Sequence, residues 1–424
     1  MFWKTADQKV TNSDVAVADS DTTALETTSN SMRFNTSSRE KLAHVEGLLL
    51  SRHVKSHFKR HLVRPKGRDW AINTLVINGP TDLDTSQIID PNRKTLVLMH
   101  GYGSGLGFFY SNYDTLSQIR DSNGERIQII AADWLGCGGS SRPRFAVRNS
   151  KAGVDSVNDA TAVIAAEDYF VDAFEDWRQE INLEKFALVG HSLGGYLSAV
   201  YALKHAHRLF SLTLLSPFGL LSHPPDSAPL IVSEHANQLP FAQRLFLAAW
   251  KYNVTPQWIL RGLGPYGPKM ASRIVSRRFP TMDESEQHLI SDYVYNLSTV
   301  RPAAGEYALN ALMELRALSP AKSTTISPEI DKGNERRSSF GLFARNPVGL
   351  RMFKGLPEAL PVTIIFGDND WMFSNSRQIL ALDLIRARKA SRLHILDNAG
   401  HHLYLDNPQQ MYRTIEKSPL FDHK

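Results

Sequence analysis

The chain is 424 residues long, with 42 % apolar and 21 % charged side chains, a net charge of +5 and one cysteine, Cys137. That length supports one large α/β unit carrying an insertion, and no run of about 18 apolar residues is present to cross a membrane. One cysteine excludes an intrachain disulfide, and without a basic stripe interleaved with aromatics a nucleic-acid platform is not expected.

Residues 1–41 are rich in Ser, Thr, Asn and Asp and are expected to form a disordered polar tail. The tail carries Asp7, Asp14, Asp19, Asp21, Glu26 and Glu40 against Lys4, Lys9, Arg33 and Arg39, unlike an acid-poor transit sequence, and it lacks a secretory signal pattern. Residues 42–68 are expected to hold a basic amphipathic helix. Leu50, Val54, Phe58 and Leu62 recur every fourth residue, with Arg52, Lys55, Lys59 and Arg60 on other faces, until Pro65 stops the pattern. Such a helix either packs on the domain edge or lies on anionic lipid.

Short aliphatic and β-branched runs follow: TLVLM (95–99), QIIAA (128–132), FALV (186–189), LTLL (212–215), VTIIF (362–366) and LHIL (393–396). Near-continuous apolar strands of this length suit a parallel sheet covered by helices on both faces, with its site at the strands' C-terminal ends. Between 217 and 362 no strand is evident, but helical stretches are, at 241–252 and 305–318. The expectation is an α/β-hydrolase fold with a mostly parallel central sheet and a helical cap inserted between strands 6 and 7. The core then spans 69–217 and 361–424, and the cap 218–360 with a flexible loop at 319–345.

FALV runs into Gly190-His191-Ser192-Leu193-Gly194, followed by a small-residue helix. This is G-x-S-x-G in a strand–turn–helix context, a turn so tight that only glycine fits beside the exposed serine. Ser192 is therefore the candidate nucleophile, and it needs a base to take its proton. Of the adjacent histidines His401 and His402, His401 is preferred for its Gly-His position after the last strand. Of Asp368 and Asp370, Asp370 is preferred as the acid, and Asp368 is expected to cap the next helix. The oxyanion donors are expected to be the backbone N–H groups of Leu193 and of Tyr102, the latter in the glycine-rich loop HGYGSGLG (100–107). That loop lacks the Lys and Ser/Thr of a nucleotide P-loop. DWLGCGGSSRP (133–143) is read as a structural turn, and Cys137 as a passive loop residue. No group has metal-ligand spacing, so no metal or other cofactor is expected. His401 and Asp406 also make the H-x-x-x-x-D spacing of glycerolipid acyltransferases.

With these residues in view, the chain resembles the α/β-hydrolase-domain lipid hydrolases and acyltransferases, a group that includes the fungal cardiolipin-specific deacylases. The resemblance rests on HGYGSGLGFF (100–109), DWLGCGGSSRP, GHSLGGY (190–196), SRRF (276–279), GEY (305–307), FGDNDWM (366–372) and AGHHLYLDNP (399–408). It implies Ser192, Asp370 and His401 as the triad, a phospholipid substrate in a membrane, peripheral membrane contact, and removal of a fatty acyl chain from cardiolipin. It also implies the matrix side of the inner mitochondrial membrane as the location, with the cytoplasm or a lipid-droplet surface as alternatives. Lysophospholipid acyl transfer and a non-catalytic lipid-surface co-activator are the rival functions. Arg277 and Arg278, with Arg273, are expected to hold the lipid phosphate, and Leu245, Phe246, Trp250, Trp258, Ile259 and Leu260 to line an acyl groove.

Overall fold

A computed structural model of the chain describes residues 33–80, 87–145, 160–220, 228–229, 254–280, 282–317, 340–372 and 390–421, with isolated positions between them. The central sheet begins with β1 (Phe58–Val63), β2 (Ile72–Ile77), β3 (Thr95–Met99), β4 (Gln128–Ala132), β5 (Phe186–His191) and β6 (Leu209–Leu215). An insertion carrying β7 (Ala228–Pro229), β8 (Met313–Ala317) and β9 (Phe340–Ala344) follows, and the sheet resumes with β10 (Val362–Gly367) and β11 (Ser391–Leu396). The eight main strands lie in the order β1-β2-β4-β3-β5-β6-β10-β11. The pairs β1/β2 and β2/β4 are antiparallel and the rest parallel. The expected sheet and the place of its cap are thus both present.

Side-chain alternation divides the core between the two faces of this sheet. Val97 and Met99 pack on one side with Phe170, Phe174 and Trp177, while Leu96 and Leu98 pack on the other with Leu42, Leu49 and Tyr113. Each fully buried aliphatic contributes about 1.5–3 kcal/mol, so a one-residue slip that exchanged the faces would mismatch both cores.

The helices are α1 (Arg33–His53), α2 (Tyr113–Leu116), α3 (Ala160–Glu180) and α4 (Leu193–His205). Those of the insertion are α5 (Pro256–Gly262), α6 (Gly267–Arg278), α7 (Glu284–Thr299) and α8 (Ala304–Leu312). After it come α9 (Gly349–Gly355), α10 (Leu403–Asp406) and α11 (Pro408–Glu416).

The N-terminal segment departs from expectation. Helix α1 starts at Arg33, inside the expected tail, and residues 1–32 lie outside the described residues. The helix expected over 42–68 stops at His53 because the Asp114 carboxylate takes the N–H groups of Lys55 (2.9 Å) and Ser56 (2.8 Å), removing them from the helical ladder. Phe58 and Leu62 then belong to strand β1, and Leu62 points outward, 68 % exposed. Three of the basic residues are bonded within the protein: Arg60 donates to the Ala43 carbonyl (2.8 Å), Lys59 to that of Pro80 (3.1 Å), and the exposed Arg52 to Ser285 on α7 (2.6 Å). This segment packs on the domain edge and against the cap.

The cap also differs. The stretch expected as one helix at 305–318 divides into α8 and β8, and β7, β8 and β9 form a small antiparallel sheet. MELRA at 313–317 has a helix-favouring composition, but pairing with Phe340–Ala344 overrides it. β9 falls within the loop expected at 319–345, whose remainder up to 339 lies outside the described residues, as does most of the helix expected at 241–252. The cap is tied to the core by buried bonds. Arg142 donates to the Val300 carbonyl (3.0 Å), and Gly305 meets Gly136 so closely that a Cβ on Gly136 would lie 2.6 Å from the Gly305 nitrogen. Next to it, and within the cap, Glu306 receives Arg261 (2.5 and 3.0 Å) and Thr255 (2.6 Å), so the GEY element pairs a core contact at Gly305 with a cap-internal ion pair.

Candidate active site

Three loops at the C-terminal ends of β5, β10 and β11 converge on Ser192. The serine sits between β5 and α4 at φ 53° and ψ −119°, a conformation that costs a non-glycine residue about 1–3 kcal/mol unless its surroundings fix it. They do: Ser192 N–H donates to the Leu215 carbonyl (2.9 Å), and its own carbonyl accepts from Tyr196 (3.1 Å) and Phe218 (3.0 Å). A Cβ at Gly190 would strike Ser198, and one at Gly194 the His100 carbonyl, so both glycines are required by the close approach of strand, helix and the β3 loop.

Ser192 Oγ lies 3.0 Å from His401 Nε2, and His401 Nδ1 lies 3.2 Å from Asp370 Oδ1. Asp370 is buried; its Oδ1 also accepts from the Met372 N–H (2.9 Å), and its Oδ2 has no partner among the described residues. With Nδ1–H directed at the carboxylate, His401 presents a lone pair to the serine hydroxyl. The three preferred residues are thus brought together, and the two rejected ones are not. His402 turns into the interior against Tyr404 and His191; burial, then the neighbouring His401 and Arg278, push it down to about 3, so it stays neutral.

Asp368 is exposed and accepts from the Asn398 and Ala399 N–H groups, both at 3.0 Å. It fastens the loop that carries His401; the helix it was expected to cap falls after Met372, outside the described residues. Asp406 fastens the same loop from the other side, accepting from the Gly400 N–H (2.9 Å) while paired with Arg278 (2.8 Å).

The N–H groups of Leu193 and Tyr102, the expected oxyanion donors, donate to no other group among the described residues. The Tyr102 hydroxyl donates to Gln257 at the start of α5 (2.7 Å), binding this loop to the cap. A Cβ at Gly101 would lie 3.0 Å from that of Ser192, so this glycine lets the loop approach the nucleophile. Cβ atoms at Gly105 and Gly107 would lie 2.5 and 2.7 Å from the Tyr293 side chain, so these positions admit a cap tyrosine rather than a substrate oxygen. Burial pushes the Cys137 thiol up to about 12, which fits the passive loop role expected of it.

Arg278 is committed to Asp406, whereas Arg273 and Arg277 stand on the outer surface of α6. Leu260 is buried, but Trp258, Ile259 and Leu245 are exposed, and Phe246 and Trp250 lie outside the described residues.

Two features were not anticipated from sequence. His191, the variable residue of G-x-S-x-G, donates from Nε2 to the His401 carbonyl (2.9 Å), and burial, then His401 and His402, hold it neutral. The other is a second, sealed polar cluster behind the Tyr102 loop. Asp133 accepts from the N–H groups of Leu106 (2.7 Å) and Gly139 (2.8 Å) and from Asn73 (2.8 Å), and Asn73 uses its second amide proton on Glu46 of α1 (3.0 Å). The other Glu46 oxygen receives the Tyr293 hydroxyl (2.9 Å).

Comparison with known proteins agrees with this architecture. A family model described as the alpha/beta hydrolase fold matches residues 94–408. A probable 1-acylglycerol-3-phosphate O-acyltransferase of Oryza sativa subsp. japonica is 32 % identical over 336 residues, covering 77 % of this chain and 67 % of the rice protein. A (lyso)-N-acylphosphatidylethanolamine lipase of Mus musculus is 29 % identical over 329 residues, covering 77 % of this chain and 79 % of the mouse protein. The crystal structure of a Bacillus subtilis carboxylesterase superposes with a TM-score of 0.50 at 16 % identity, covering 89 % of this chain and 97 % of that one, a likeness of fold. A matched family model spanning most of the chain, over a sheet and elbow of this geometry, makes the protein a member of the alpha/beta hydrolase fold family.

Proposed function

We propose that this chain is a serine-dependent lipid deacylase that releases a fatty acid from a membrane phospholipid. The observation that carries this reading is the 3.0 Å approach of His401 Nε2 to Ser192 Oγ at a strained elbow. In the proposed reaction Ser192 Oγ attacks the ester carbonyl while His401 Nε2 takes its proton. Asp370 holds the imidazole in the Nδ1–H tautomer and stabilises the imidazolium. The Leu193 and Tyr102 N–H groups receive the negative charge of the tetrahedral intermediate. His401 protonates the leaving lysolipid alkoxide, and a water activated by the same histidine then splits the acyl-enzyme.

Cardiolipin, giving monolysocardiolipin, is the first substrate to test, on the strength of the motifs shared with fungal cardiolipin deacylases. Those motifs also propose the matrix face of the inner mitochondrial membrane as the place of action. Fatty-acid release from a panel of micellar phospholipids and neutral esters tests the reading. Release from cardiolipin above the others is expected, and a preference for neutral esters over every anionic lipid would overturn it.

Acyl transfer is the second reading, because relatives named as acyltransferases cover most of the chain and His401 and Asp406 keep the acyltransferase spacing. Against it, Asp406 is engaged with Arg278 and the Gly400 N–H, which is a loop-fastening role. Acceptor-dependent formation of diacyl product from a lysophospholipid and an acyl donor would favour the transferase.

A further inference from the structure

Helix α6 is amphipathic in an unusual sense, since its outer face is apolar and cationic together. Gly267, Ala271 and Val275, four apart, turn inward against α7. Tyr266, Met270 and Ile274, also four apart, turn outward, with Tyr266 68 % and Ile274 51 % exposed. Lys269, Arg273 and Arg277 form a parallel exposed stripe beside them, with no carboxylate partner among the described residues. Helix α5 extends the patch with Trp258, 49 % exposed, and Ile259. A water-facing helix normally turns its apolar stripe to the core, and a contiguous exposed apolar patch marks an interaction surface.

The patch ends at both lips of the site. Gln257, next to Trp258, holds the Tyr102 hydroxyl, and Arg278 at the end of α6 holds Asp406 and through it the loop of His401. Trp371, also exposed, has its ring 5.1 Å from that of His401. Among the described residues no helix is long and apolar enough to cross a membrane.

We infer that the outer face of α5 and α6 is the surface by which the protein lies on a bilayer of anionic phospholipid. The apolar stripe enters the acyl boundary, the cationic stripe meets the headgroups, and the Ser192 site opens toward the lipid. The inference deepens the deacylase reading and rests on it for the identity of the substrate.

Flotation of the full chain with vesicles tests it. Wild type should float with phosphatidylcholine vesicles containing cardiolipin, much less with phosphatidylcholine alone, and less as salt rises. Each basic residue near an anionic surface contributes about a fivefold factor, so Lys269→Glu with Arg273→Glu should weaken binding by at least roughly 25-fold. Met270→Glu with Ile274→Glu should abolish flotation while turnover of a soluble short-chain ester stays within about twofold, which shows that the site is folded. The inference is overturned if both double variants float as wild type does. It is equally overturned if wild type does not float and instead forms a dimer that the Met270/Ile274 variant dissociates. Release of fatty acid from detergent-dispersed phospholipid judges the deacylase reading separately, because it needs no bilayer.

Discussion

The sheet carries two aspartate–histidine pairs, each built from the loops that follow two neighbouring parallel strands. Asp133 and His100 follow β4 and β3; Asp370 and His401 follow β10 and β11; Ser192 follows β5 between them. Similar parts give opposite results. Asp133 is saturated by three donors, and His100 donates from Nδ1 to the Gly101 carbonyl (2.9 Å), leaving Nε2 to accept from the Trp134 N–H (3.3 Å). Although His100 Nε2 lies 3.4 Å from Asp133, it is not an ion pair: burial holds the imidazole down at about 4, and it is neutral. The His401 ring has the same Nδ1–H tautomer but sets a carboxylate on Nδ1 and a hydroxyl on Nε2, and it reaches solvent. A reactive pair differs from a structural one in which nitrogen faces the acid and whether a hydroxyl waits on the other.

Exchanging the two carboxylates for amides separates the pairs most sharply. Asp370→Asn should lower kcat by roughly 10²–10⁴-fold, through the wrong tautomer of His401, with little change in melting temperature. Asp133→Asn should do the converse. It sets an amide against buried N–H donors and should cost about 2–4 kcal/mol of stability, while Ser192 reactivity changes less than tenfold in the folded fraction. Urea melts beside single-turnover rates check both, and a large rate loss without destabilisation in Asp133→Asn would break the comparison.

A third variant sharpens the structural side. Glu46 is raised to about 7 by burial, then by Asp133, which holds the charge because it has the more donors. Native Glu46 keeps a proton that the unfolded chain releases from about pH 4.5, so the contribution of Glu46 to stability falls as pH rises through about 4.5 to 7. Glu46→Gln lacks that fall. Its stability relative to wild type should rise between pH 5 and pH 8, by on the order of 2–3 kcal/mol, in pH-resolved melts. A gap independent of pH would contradict the assignment. The smallest effect is expected at His402, where the ring is buried, neutral and turned away from the serine. His402→Gln should change kcat/KM by less than about fivefold in the same ester assay, whereas His401→Gln should remove most of it.

What the sequence disclosed follows from the range of the interactions. Five of the six apolar runs flag strands because a doubly covered strand is apolar at every position, whereas LHIL lies on the edge strand β11 with Ile395 exposed. The elbow is legible because the turn demands glycine at 190 and 194, although Gly194 answers to His100, far along the chain. The approach of His401 and Asp370 to Ser192 followed from their places after strands. The end of α1 was hidden because Asp114, far along the chain, intercepts the N–H groups of Lys55 and Ser56. β8 was hidden because its partner lies beyond a long polar stretch, and the Glu46–Asn73–Asp133 cluster because its members come from three separate segments. Of the basic residues at 52–60, Arg52, Lys59 and Arg60 are engaged in hydrogen bonds, whereas Lys269, Arg273 and Arg277 stand exposed.

Labelling with a fluorophosphonate tests the central claim most directly. Wild type should be modified once, at Ser192, with a rate that falls at least about 10²-fold in His401→Gln, and Ser192→Ala should not label. Equal labelling of wild type and Ser192→Ala, or none of folded wild type, would contradict the account.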